Sequence, residues 1–104
     1  MSNQPFTVDI DLDMEDIVPG YLENRKKDIV EIQAAIEKGD WDFLKTISHK
    51  IKGNAGGYGF DGLSQIGGKL EEAAKTQDLD TFQSEFENMK NYLANVQVNY
   101  VEVA

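Results

Sequence analysis

Pro5 and Pro19 are the only prolines in the chain, and both lie near its start. From Tyr21 onward nothing in the backbone chemistry forbids helix, and apolar residues recur at helical spacing. Leu22, Ile29, Ile32 and Ile36 form a first stripe, ended by Gly39 as a C-terminal glycine. Asp40 reads as the N-cap of a second helix carrying Leu44, Ile47, Ile51, Ala55 and Tyr58, ended by Gly59. Asp61 is placed to cap a third, with Leu63, Ile66, Leu70 and Ala73 or Ala74 on its apolar face. Asp78 opens a fourth, where Leu79, Phe82, Phe86, Met89, Leu93, Val96 and Tyr100 keep a three-four alternation.

The starts Asp40-Trp41-Asp42-Phe43 and Asp78-Leu79-Asp80-Thr81-Phe82 look alike, which we read as one capping solution used twice. Four amphipathic helices with short connections predict an all-α fold, an antiparallel up-down-up-down four-helix bundle. The first helix is expected to begin near Glu15 with Pro19 in or near its first turn. Residues 1–14 form a lead-in and 15–104 the bundle domain; Thr7 to Asp13 alternates apolar and acidic residues and reads as a short strand or a loop. A chain of 104 residues holds one core.

Nineteen acidic residues against ten basic give a formal charge of −9, which argues against nucleic acid and against an anionic membrane surface as partners. No cysteine is present, so neither disulfides nor thiolate metal sites are available. Met1 to Asp13 lacks the basic start and apolar run of a signal peptide, and apolar runs are far too short to span a membrane. A cytoplasmic protein is the expectation.

Placed on a helical wheel, the second stripe points one way and His49 lies about 160° from it, facing solvent. Residues three, four and seven positions away share its face: Lys45 before it, then Lys52, Gly53 and Gly56. A neutral imidazole nitrogen is a competent nucleophile near neutral pH. A phosphorylated imidazole carries roughly −2 charge, which a nearby ammonium stabilises. Gly53 and Gly56, read as mid-helix, leave bare backbone beside the ring for a partner's active site, at a cost of about 1 kcal/mol each relative to alanine.

Blander readings exist for each feature. A lone surface histidine usually does nothing, the lysines can be an ordinary solvated face, and the glycines can mark a helix that ends early and leaves His49 in a frayed turn. No second histidine, serine or cysteine stands at triad or metal spacing. Asp9, Asp11 and Asp13 mimic the first ligands of a calcium loop, but Met14 stands where glycine is needed and Gly20 where the bidentate glutamate is needed. No calcium site is expected there.

The run His49-Lys50-Ile51-Lys52-Gly53-Asn54-Ala55-Gly56-Gly57-Tyr58-Gly59 resembles the signature of histidine phosphotransfer (HPt) domains: histidine, any residue, an aliphatic, lysine, glycine, small residues, then a glycine ten positions after the histidine. Leu63, Ile66 and the Leu70-Glu71 pair continue the likeness, and Val18-Pro19-Gly20-Tyr21-Leu22 with Arg25 looks like the family's first helix. The resemblance runs from about Glu15 to Tyr100. Ile51 replaces the commoner leucine, and Asn54 stands where serine or threonine is frequent.

The resemblance implies a stand-alone phosphorelay intermediate of bacterial type. His49 would take a phosphoryl group from a receiver-domain aspartyl-phosphate, or from a kinase, and pass it to another receiver. Lys52 would be its charge partner, with Gly53, Gly56 and Lys45 as partner-access positions. Partners would be receiver domains of response regulators or hybrid histidine kinases. No cofactor is implied on this chain, because the divalent metal of the exchange belongs to the receiver. Nothing resembles the ATP-binding half of a kinase, so no autonomous ATP-dependent activity is expected, and a monomer is. The competing readings are a non-catalytic helical interaction module, and a small hydrolase using His49 as general base; intact His49, Lys52 and Gly53 argue against the first, and the lack of a second titratable partner against the second.

Overall fold

The computed structural model describes residues 4–103; the first three residues of the lead-in and the last residue of the chain lie outside them. The described chain runs β1 (Phe6–Asp11), a 3-10 turn (Leu12–Met14), α1 (Val18–Lys38), α2 (Trp41–Ala55), a second 3-10 turn (Gly56–Tyr58), α3 (Asp61–Lys75), α4 (Leu79–Asn95) and β2 (Val96–Val101). α2 packs on α3, α3 on α4, and α1 contacts both α2 and α4. The apolar stripes meet between the helices: Ile32, Leu44, Ile51, Leu63, Leu70, Phe82 and Met89 are fully buried.

The helix ends follow local chemistry. Asp40 accepts from Phe43 N at 3.1 Å and Asp78 from Thr81 N at 3.2 Å, each satisfying one free donor of a first turn. Gly39 closes α1 in the left-handed region at φ 68°, where a side chain would be strained. Helix α1 starts three residues later than the sequence suggests, with Pro19 inside its first turn, where a missing N–H costs nothing. Asp61 does not cap α3: the N-cap is Phe60, held in the core, and Asp61 lies one step inside, complementing the helix dipole.

The all-helical expectation needs one correction. Val96 and Tyr100 do not continue α4; the helix stops at Asn95 and Val96–Val101 pairs with β1 as a parallel two-stranded sheet. Val96-Gln97-Val98-Asn99-Tyr100-Val101 satisfies a two-residue period as well as a three-four one, and its β-branched and aromatic residues favour the strand. The lead-in supplies a matching alternation, so that Phe6, Val8 and Ile10 stand opposite Val96, Val98 and Tyr100. On the outer face Asn99 Nδ2 donates to Asp9 Oδ1 at 3.1 Å. Ile10 is only 2 % exposed and its Cδ1 lies 2.5 Å from where a Cβ on Gly59 would stand. Gly59, at φ 92°, therefore serves both the turn after α2 and the seat of the strand.

Candidate functional site

Helix α2 ends at Ala55, past His49, so the histidine sits in the helix proper and not in a frayed turn. Its side chain is 72 % exposed, on the face opposite Leu44, Ile47 and Ile51. One ring nitrogen is nevertheless engaged. His49 Nδ1 lies 2.8 Å from Oε2 of Glu71, a residue of α3 whose side chain is only 10 % exposed. Lys52 Nζ stands 3.6 Å from the other carboxylate oxygen, Oε1, within ion-pair range but too far for a hydrogen bond.

Glu71 reaches the ring because α2 and α3 touch backbone to backbone one turn away. A Cβ on Gly67 would stand 2.6 Å from Lys52 N and 2.9 Å from Lys52 Cα, so this crossing requires glycine. Ser64 Oγ donates to Lys52 O at 2.7 Å and fastens the same point. Gly67 and Glu71 are four residues apart on α3, and His49 and Lys52 three apart on α2, so each pair shares a helix face. The close crossing at Gly67 and Lys52 thus brings Glu71 beside His49.

Burial pushes the Glu71 carboxyl up. The hydrogen bond and charge of His49, then the charges of Lys75 and Lys52, outweigh that and hold it below its ordinary value. Glu71 is therefore a carboxylate at neutral pH, and a carboxylate only accepts. The Nδ1 proton must lie on the histidine, and a neutral ring then carries its lone pair on Nε2. Lys45, Thr46, His49, Lys50, Glu71 and Lys75 line a shallow depression of about 300 Å³ around the ring.

Of the positions singled out in the sequence, His49, Lys52 and Lys45 come together here. Gly53 lies exposed in the last turn of α2 with nothing within 4 Å of an added Cβ. Gly56 needs correcting: it is not mid-helix but opens the 3-10 turn beyond α2, where an added Cβ would meet Ser64 Oγ at 3.6 Å. The helix stops there because Phe60 N turns back to Ala55 O and Gly59 takes a left-handed conformation. Asn54 accepts from the Tyr21 hydroxyl at 2.5 Å, tying α1 to α2, and Tyr21 stacks on Tyr58 at 4.1 Å.

The Glu71 contact is the one that sequence reasoning missed. Glu71 is a second titratable group beside His49, so the want of one does not argue against a hydrolase. A signal existed: Glu71 flanks the stripe of Leu63, Leu70 and Ala74 and follows Gly67 by one turn, and an acid in that position needs a partner.

Among the described residues no group of three or more histidine, cysteine or acidic side chains is placed to hold a metal ion, and no helix is long and apolar enough to cross a membrane. The family model described as the Hpt domain matches residues 16–99, and the chain belongs to that family. Its general activity is histidine phosphotransfer in two-component signalling, exercised on receiver domains. No curated protein matches the chain at a significant level, and no solved structure does.

Proposed function

We propose that His49 is the phosphoacceptor of a phosphorelay intermediate and that Nε2 is its reacting atom. The observation that carries this is the split between the two ring nitrogens: Nδ1 is held by a buried carboxylate while the ring as a whole is 72 % exposed. The Nε2 lone pair attacks phosphorus of a receiver's aspartyl-phosphate, the P–O bond to the aspartate breaks, and its electron pair leaves with the carboxylate. No proton has to be removed from Nε2, because the ring's proton is on Nδ1. The positive charge that develops on the ring faces Glu71, which stabilises it by a charge-assisted hydrogen bond. The return step to a second receiver is the same displacement reversed.

Lys52 is half exposed and only loosely paired, so its ammonium is free to turn toward the phosphoryl oxygens. Gly53 leaves the space beside the ring open to the receiver's aspartate. Most of the remaining catalytic power comes from positioning and from the receiver's own groups, including its divalent metal. This reading takes the helices as an antiparallel up-down-up-down bundle, which the three short connections and the packing of successive helices support. Phe6–Asp11 of the 1–14 lead-in acts as an accessory strand to the 15–104 domain, and the protein works as a cytoplasmic monomer without a cofactor of its own.

The test is transfer from a panel of phosphorylated receiver domains to the parent and to His49→Gln. Acid-labile, base-stable label on the parent and none on the variant, at equal helical circular dichroism, is the expected result.

A further inference from the structure

A sheet of two strands leaves each strand one free edge, a row of unpaired N–H and C=O groups on which another strand can form. β1 and β2 pair only with each other, and among the described residues no backbone group from Gln97 to Val101 hydrogen-bonds outside that sheet. The two edges are not equivalent. β1 carries Asp9 and Asp11, the kind of charge that guards an edge, whereas β2 reads Val96-Gln97-Val98-Asn99-Tyr100-Val101, without a charge or a proline. Val96, Val98 and Tyr100 pack on the core from one side and stay half-buried, so apolar surface is left uncovered along β2. Exposed Leu12 and Val103 stand just beyond the last pair, Asp11 with Val101, and add to it. The flanking sequence is acidic: Asp9, Asp11, Asp13, Glu15, Asp16 and Glu23 precede the first basic residue, Arg25, and after Lys90 the one charged side chain is Glu102.

We infer that the free edge of β2 accepts a third strand from a partner protein, an extended segment in which lysine or arginine alternates with β-branched or aromatic residues. Main-chain hydrogen bonds to β2 supply the pairing. With a two-residue period the apolar residues of the segment fall on the inner face, where they complete the burial of Val96, Val98 and Tyr100. The basic ones fall on the outer face beside Gln97 and Asn99, where Asn99 already holds Asp9 at 3.1 Å. A second copy of this chain fits less well, because it brings the same acidic flanks against these. The inference does not depend on His49 being the acceptor, since the edge belongs to the strand after α4 and not to α2.

The probe is a peptide of about ten residues alternating valine with lysine, titrated into the parent protein and followed by amide magnetic resonance and hydrogen exchange. Its controls are the same peptide with glutamate for lysine, and two N-methylated forms, one blocked at every valine amide and the other at every lysine amide. The lysine peptide should bind about tenfold or more tighter than the glutamate peptide and protect amides within Gln97–Val101. One of the two N-methylated forms should lose binding, because only one set of amides faces β2. The double substitution Gln97→Lys, Asn99→Lys, folded by circular dichroism, should reverse the preference between the two charges. Absence of binding overturns the inference, as does binding that is equal for the two charges or survives both N-methylations. Protection confined to Phe6–Asp11 overturns it too, by placing the partner on β1. So does concentration-dependent association of the chain alone that protects Gln97–Val101, which makes a second copy the occupant.

Discussion

His49 and Glu71 are separated by twenty-two positions in the chain and joined by one hydrogen bond. That bond selects which ring nitrogen is free. Glu71→Gln keeps the shape but removes the charge that fixes the tautomer, and a bond to a charged group contributes about 1.5–3 kcal/mol. With His49 largely exposed the lower end applies, so transfer to His49 should slow about tenfold, read in single-turnover kinetics. The same pair makes stability depend on pH. The folded carboxyl lies below its unfolded value, so its contribution is fully present above the ordinary carboxylate range and disappears as pH falls through the lowered folded value. Urea unfolding should show the parent more stable than Glu71→Gln at pH values near neutral, with the gap closing in acid; a gap that persists unchanged in acid contradicts the pairing. At this scale the exposure of His49 was legible because it follows from one helix's own period. The carboxylate that orients it was not, because the contact depends on the register of α3 against α2, which no local spacing encodes.

Two glycines on adjacent elements separate access from packing. Gly53→Ala adds a Cβ into open space on α2 and removes a helix-interior glycine, so stability should rise by up to about 1 kcal/mol. Gly53→Gln should fold as well as the parent, since an added Cβ meets nothing within 4 Å, yet on the proposed function its side chain should obstruct the receiver and slow transfer markedly. Gly67→Ala meets the backbone of Lys52 and must push α3 from α2, which should cost about 1–3 kcal/mol and also slow transfer by withdrawing Glu71. Urea midpoints and transfer rates on the same preparations distinguish the two; a stabilised Gly67→Ala would show that the crossing is looser than described. The helix starts at Asp40 and Asp78 were readable because a cap is a local event. The end of α4 was not, since Asn95-Val96 carries no glycine or proline and Val96 and Tyr100 fit both periods.

For the molecule as a whole, the parallel pairing of β1 with β2 joins the first described strand to the last, across all four helices. Only the alternation of Phe6, Val8 and Ile10 hinted at a strand, and its partner could not be named from a sequence whose α4 stripe ran on without interruption. The pairing serves the bundle and not the site: Ile10 plugs against Gly59, whereas His49 lies on the outer face of α2. Ile10→Ala should therefore cost about 2–5 kcal/mol of stability while leaving transfer to His49 close to that of the parent at temperatures where the variant remains folded. Thermal unfolding and transfer rates check this together, and a large loss of transfer in a folded variant would tie the sheet to the site.

The central claim is that Nε2 of His49 receives the phosphoryl group. Phosphorus and nitrogen magnetic resonance on uniformly nitrogen-labelled protein, after reaction with a phosphorylated receiver domain, reports which ring nitrogen is bonded to phosphorus. The expected spectrum shows phosphorus on Nε2 of His49 alone, with Nδ1 still protonated and no signal from His49→Gln. Phosphorus on Nδ1, or label that survives in the variant, would contradict it.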